Sequence, residues 1–123
     1  MDKTRIVVIC GPTAAGKSAL AAELASRFNA EIVSADSMQV YRHMDIGTAK
    51  PDERLRAMAP HHLIDVVDPD QDYSAALYMQ DASKAIEDIR SRERNVIVAG
   101  GTGLYIKALT KGLFEGPASD IAV

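Results

Sequence analysis

Gly11-Pro12-Thr13-Ala14-Ala15-Gly16-Lys17-Ser18 decides the fold. The stretch fills every fixed position of the G-x-x-x-x-G-K-[ST] phosphate loop. Ahead of it, Arg5-Ile6-Val7-Val8-Ile9-Cys10 is a β-branched apolar run of the kind that forms a buried parallel strand. Behind it, Ala19, Leu20, Leu24, Ala25 and Phe28 predict an apolar stripe on a helix that starts near Gly16 or Lys17. Strand, tight loop and helix N-terminus together make an anion cradle. Backbone N–H groups point inward, the helix dipole favours negative charge, and Lys17 adds a mobile cation for the outer phosphate. Ser18 is placed to offer its hydroxyl to a Mg²⁺ ion bridging two phosphate oxygens. A glycine-rich turn that only joins a strand to a helix is the plainer reading. The complete pattern with both flanks outweighs it, and Gly11 to Ser18 are read as a diphosphate or nucleotide site.

The loop leaves open which phosphate compound binds and whether it is cleaved, because kinases, hydrolases and transferases all use it. The rest of the chain narrows the choice. Its 123 residues suit one small domain or part of a larger one. A hydrophobic fraction of 47% and a charged fraction of 25% are ordinary for a globular chain. The formal net charge of −3 and the lack of a dense basic run give no bulk signature of nucleic-acid binding. Cys10, the single cysteine, has no internal disulfide partner and reads as a small buried hydrophobe at a strand end. No signal peptide and no apolar run of membrane-spanning length stand in the sequence, so a cytoplasmic setting without a membrane partner is expected.

Further along, Glu31-Ile32-Val33-Ser34 reads as a second strand leading into Ala35-Asp36-Ser37-Met38-Gln39-Val40-Tyr41. An acid just past the carboxyl end of a parallel strand lies on the edge where such sheets bind ligands. Pro51 suits the first position of a short helix with Asp52 and Glu53 in its first turn, Leu55 and Met58 as its apolar face, and Pro60 as its stop. His62-Leu63-Ile64-Asp65-Val66-Val67 is a third strand candidate, followed by the turn-rich Asp68-Pro69-Asp70-Gln71-Asp72. Ser74 can cap a helix on which Tyr78, Ala82, Ala85, Ile86 and Ile89 recur at helical spacing. Asn95-Val96-Ile97-Val98-Ala99 is a fourth strand running into Gly100-Gly101-Thr102-Gly103. A last helix carries Leu104, Ile106 and Leu109, with Gly112 as its C′ residue. The order β-α-β-α-β-α-β-α predicts an α/β fold, a phosphate-loop parallel sheet with helices on both faces. Four strands are counted where such domains have five, and Gly112 to Val123 read as loop. The chain is therefore expected to be incomplete, part of a larger domain.

Three loops should meet at the carboxyl edge of this sheet: the phosphate loop, Asp36 to Tyr41, and Gly100 to Gly103. The glycines allow close backbone approach and Thr102 supplies one hydroxyl beside a helix N-terminus, although glycine after a strand is also common in plain α/β turns. Val96-Ile97-Val98-Ala99 is not followed by the acid that hydrolytic phosphate-loop proteins place there. Asp36 and Asp65 remain as candidate acids, with no water-orienting Gln or arginine-rich lid evident. That counts against phosphoryl transfer. Asp36 reads as a general base facing the phosphates, or as an N-cap or a ligand of a metal-bound water. Adjacent His61 and His62 would point to opposite faces of a strand and do not form a metal site; His43 is read as a loop residue. Tyr73, Tyr78 and Tyr105 read as core edges, with Tyr41 as the one candidate stacking platform.

Taken as a series, the phosphate loop, Asp36-Ser37-Met38-Gln39-Val40-Tyr41, Met44-Asp45-Ile46-Gly47-Thr48-Ala49-Lys50-Pro51, Pro60-His61-His62-Leu63-Ile64-Asp65 and Gly100-Gly101-Thr102-Gly103-Leu104-Tyr105 resemble the tRNA dimethylallyltransferases, or tRNA isopentenyltransferases, in order and spacing. The resemblance covers essentially the whole chain and implies that residues 1–123 are the N-terminal part of a phosphate-loop prenyltransferase domain. The helical insert that grips tRNA and the C-terminal part would lie outside it, and the chain by itself would then be inactive or nearly so. The implied reaction moves a dimethylallyl group from dimethylallyl diphosphate to the exocyclic N6 amine of an adenine beside the tRNA anticodon. Asp36 then matches the family's base, and Thr102 its threonine near the bridging oxygen. Asp36, Ser37, Met38 and Gln39, with Thr102, match the residues that contact the adenine of the anticodon loop, and Mg²⁺ is the implied cofactor at Ser18. Three other readings stay open at this stage: an adenylate isopentenyltransferase acting on free AMP, ADP or ATP, a phosphate-loop small-molecule kinase, and a nucleotide-binding fragment without activity.

Overall fold

The computed structural model describes residues 6–10, 15–43, 50–114 and 121–122. Gly11 to Ala14, the first half of the phosphate loop, lie outside the described residues, as do Met44 to Thr48 and Ala49. Five parallel strands form one sheet: β1 Ile6–Cys10, β2 Ala30–Ser34, β3 His61–His62, β4 Asn95–Gly100 and β5 Ile121–Ala122. Their order is β3-β2-β4-β1-β5. The helices are α1 Ala15–Arg27, α2 Glu53–Met58, α3 Ala75–Ser91 and α4 Gly103–Phe114.

Side-chain alternation along the strands splits the core into two layers. Ile6 and Val8, Val33 and Ala35, and Val96 and Val98 face one side, where Tyr78, Ala82, Ile86, Ile89, Tyr105 and Leu109 from α3 and α4 cover them. Val7, Ile9, Ile32, Ile97 and Ala99 face the other, against Ala21, Ala22 and Ala25 of α1 and Leu55 and Met58 of α2. Burying Ile86 or Ile89 contributes about 1.5–3 kcal/mol each.

The α3 pattern is as its spacing predicts, and the Ser74 hydroxyl caps it by accepting from the Leu77 N–H at 3.1 Å. Elsewhere the structure corrects the expectation. Leu24 and Ala25 of α1 pack on the sheet as expected, but Ala21 and Ala22 complete the buried face, while Leu20 and Phe28, just past the helix end, are 48% and 61% exposed. Small residues let this helix lie close to the sheet, and that closeness outweighs the area the larger side chains would bury. Asp52, rather than Pro51, opens α2 and caps it, accepting from the Leu55 N–H at 2.9 Å. The third strand ends at His62, because Leu63 and Asp65 adopt φ of 67° and 58° and break the extended run. A fifth strand, absent from the expectation, pairs Ile121 and Ala122 with Ile6 and Val7. Helix α4 continues through Gly112 to Phe114 instead of ending at that glycine. Cys10 is exposed, because it is the last residue of β1 and stands at the edge of the sheet.

Candidate active site

Strand register brings the chemistry together. Ser34 pairs with Ala99, and Cys10 pairs with Gly100. The loops after β2, β4 and β1 therefore leave three adjacent strands at one edge. Helix α1 begins at Ala15, so Gly16, Lys17 and Ser18 form its first turn, with Lys17 and Ser18 half-buried.

The segment after β2 is a turn closed by its own acid. Asp36 is only 8% exposed, and its Oδ1 accepts from the N–H groups of Met38 at 2.8 Å and Gln39 at 3.1 Å. The Val40 N–H reaches the Asp36 carbonyl at 3.3 Å, and the Tyr41 N–H reaches that of Met38 at 3.2 Å. Aspartate is suited to this role because its short side chain can accept from backbone N–H groups two and three residues ahead. Asp36 thus closes a turn with its own side chain and caps no helix among the described elements, while Oδ2 makes no hydrogen bond among the described residues.

Thr102 ties this turn to the loop after β4. Its Oγ1 accepts from the Ser37 N–H at 2.8 Å and donates to Ser37 Oγ at 3.3 Å, and its own N–H donates to the Ala35 carbonyl at 3.1 Å. Its carbonyl accepts from Tyr105 and Ile106, so the residue also opens α4. Gly100 makes the approach feasible: a Cβ there would stand 2.2 Å from the Ala35 carbonyl oxygen. Gln39 is buried against Ser34, whose hydroxyl donates to its Oε1 at 3.3 Å. Met38 is exposed at 44%, an apolar side chain held out beside polar neighbours.

Tyr105, expected at a core edge, is buried and stacked on Tyr78 with ring centroids 4.4 Å apart. Its phenol is pushed up in pKa by burial first, then by neighbouring Tyr41 and Asp36, so it also adjoins the acidic turn. Glu31, His62, Arg92 and Arg94 form a separate cluster. Glu31 accepts from Arg92, lies 3.2 Å from Arg94 Nε and 2.7 Å from His62 Nε2. The sequence signals for it are an acid inside the buried β2 and the arginines Arg92 and Arg94 just past the end of α3. Asp65 is engaged too, by Lys50 Nζ at 2.5 Å and Arg56 at 3.3 Å. An apolar groove of about 430 Å³ lined by Val7, Leu24, Phe28 and Val96 opens at the other end of the strands. Its described lining holds no titratable group.

The loop geometry joins a helix N-terminus, a carboxylate and a threonine hydroxyl at one edge, and comparison with known proteins decides its family. A family model described as IPP transferase matches residues 39–123. The chain belongs to the IPP transferase family. It is 57% identical over 122 residues to "tRNA dimethylallyltransferase 2" of Geotalea uraniireducens, a match covering 99% of this chain and 39% of that protein. It is 59% identical over 119 residues to the tRNA dimethylallyltransferase of Geobacter metallireducens, covering 97% and 38%. The crystal structure of full-length tRNA isopentenylpyrophosphate transferase from Bacillus halodurans superposes with a TM-score of 0.83 at 44% identity, covering 96% of this chain and 38% of that one. A eukaryotic dimethylallyltransferase described as acting on tRNA superposes at 0.82 with 39% identity, covering 87% and 27%. The chain thus spans well under half the length of the relatives it matches. Membership confirms the parallel phosphate-loop-type fold expected from the sequence.

Proposed function

We propose that this chain carries the donor and acceptor edge of an enzyme that transfers a dimethylallyl group from dimethylallyl diphosphate to N6 of an adenine in the anticodon loop of tRNA. Residues 1–123 are then the N-terminal part of its prenyltransferase domain. The observation that carries the reading is the direct bond between Thr102 and Ser37, which sets the Asp36 turn beside the loop after β4, one strand away from the end of β1.

The donor's diphosphate is held by the phosphate loop from Gly11 to Ser18, with Lys17 facing its outer charge. Ser18 is the residue that would hold Mg²⁺. Its neutral hydroxyl fits that ion, which keeps most of its water and takes substrate phosphate oxygens in place of a full protein cage. Among the described residues no cluster of His, Cys, Asp and Glu offers a cage. When bound, the ion neutralises charge on the departing pyrophosphate.

On the acceptor side, the adenine leaves its stack to reach the site, as bases do in enzymes that act on them. The turn from Asp36 to Gln39 contacts it. Its N6 nitrogen forms a bond to the allylic carbon, the carbon–oxygen bond to pyrophosphate breaks, and the N6 proton passes to the Asp36 carboxylate. Oδ1 holds the turn in place and Oδ2 is the oxygen left for that proton. An aromatic amine is a weak nucleophile, so removing its proton as the bond forms lowers the barrier. Thr102, whose hydroxyl donates to Ser37 Oγ, stands by the bridging oxygen of the donor.

Labelled dimethylallyl diphosphate offered to the full-length protein with unmodified tRNA, or with AMP, ADP or ATP, tests the proposal. Label on tRNA alone is expected. Label confined to the free nucleotide would contradict it.

A further inference from the structure

The Asp36–Tyr41 turn is held from behind as well as by Thr102. The Asp65 N–H donates to the Gln39 carbonyl at 3.0 Å, and the Val66 and Val67 N–H groups donate to the Val40 carbonyl at 2.9 and 3.1 Å. The Arg42 N–H returns a bond to the Val67 carbonyl at 2.8 Å. Residues 65–67 are therefore a strap along the back of the turn. One ion pair locks the strap: Lys50 Nζ donates to Asp65 Oδ1 at 2.5 Å and to the Tyr41 carbonyl at 2.8 Å. The same two residues thus hold carbonyls near the far end of the turn, Gln39 through the Asp65 backbone and Tyr41 through the Lys50 ammonium.

We infer that Lys50 and Asp65 are a positioning pair for the acceptor-facing turn, setting where Asp36 and Gln39 meet the adenine without touching it themselves. The inference rests on the reading of that turn as the acceptor contact. The Lys50 side chain is only 7% exposed, so its charge depends on the partners it has. Asp65 sits in the left-handed region at φ 58°, which aspartate and asparagine tolerate better than most residues. Burial would raise the Asp65 carboxyl, but hydrogen bonds and charge from Lys50, then Arg56, outweigh it and hold the group below its ordinary value. The acid is thereby kept ionised as the counter-charge of Lys50.

The variants Asp65→Asn, Lys50→Met and the double variant test this in the full-length protein. Asparagine keeps the backbone bond and the left-handed residue while removing the charge. Each single variant should lower kcat/KM for tRNA about ten- to a hundred-fold, as small misplacements of reacting groups do, with affinity for dimethylallyl diphosphate within about two-fold of wild type. The double variant should lose no more than the worse single one, because the two residues act as a unit. Variants that lower the melting temperature yet keep wild-type kcat and KM for tRNA would overturn the inference. Should Asp65→Asn lose diphosphate binding, Lys50→Met is read alone; loss in both makes the pair a stability element and overturns it as well. A wild type that labels tRNA beside variants that match it sinks the pair's role alone. A wild type that labels no tRNA sinks the functional reading and the pair's role together.

Discussion

Thr102 Oγ1 accepts the Ser37 N–H at 2.8 Å across 65 residues of sequence. With the β2–β4 pairing and the bond from the Thr102 N–H to the Ala35 carbonyl, this contact sets the acid-bearing turn against the loop after β4. Removing the hydroxyl in Thr102→Val keeps the side-chain shape and leaves a partly buried N–H without its acceptor. A loss of about 1–3 kcal/mol in folding stability is expected from denaturant melts, with recovery of most of it in Thr102→Ser. Equal stability of the valine and wild-type proteins would show that the bond contributes nothing.

Gly100 is the position where the sheet tolerates no side chain. A Cβ would meet Ala35 backbone atoms at 2.2–2.8 Å, and a backbone neighbour cannot rotate away. Gly100→Ala should therefore separate β2 from β4 or fail to fold, at a cost of several kcal/mol. Gly103→Ala is the control, since nothing lies within 4 Å of its Cβ direction. Comparable melting of the two variants would contradict the packing described.

Glu31 predicts the acid limb of the stability curve. Hydrogen bonds from Arg92, opposed by burial and aided by His62, lower its pKa to about 2 from 4.5. A carboxyl depressed in the folded state adds stability that is fully present above pH 4.5 and is lost as pH falls toward about 2. Denaturant midpoints of wild type and Glu31→Gln should accordingly converge as pH falls through that window. Parallel curves would show that the cluster is not titrating with folding.

The readable and unreadable parts of this chain divide along physical lines. Tyr78, Ala82, Ile86 and Ile89 lie one above another at helical spacing, and Ser74 carries a cap's side chain, so α3 could be drawn from local pattern alone. That Asp36 and Thr102 stand at the same edge was legible because each follows a parallel strand, and parallel strands end at one edge. The face of α1 was legible only in part: Leu24 and Ala25 pack inward at the expected spacing, but hydropathy also favours Leu20 and Phe28 where close packing selects Ala21 and Ala22. Strand β3 looked longer than it is, because nothing local announces that Leu63 and Asp65 turn to positive φ; the bonds holding Asp65 come from Gln39 and Lys50, well upstream in sequence. Glu31 belongs to the same class. Its arginines lie about 60 residues downstream, and only the fold makes them neighbours.

The most direct test of the central claim is single-turnover transfer to tRNA by Asp36→Asn in the full-length protein, with binding of dimethylallyl diphosphate measured alongside. The asparagine carbonyl oxygen can still accept from Met38 and Gln39, so the turn survives and only the base is lost. A fall in the transfer rate of about 10²–10⁴-fold with diphosphate binding unchanged is predicted, in contrast to Lys17→Ala, which should weaken that binding. Transfer by Asp36→Asn within a few-fold of wild type would contradict the role given to this carboxylate.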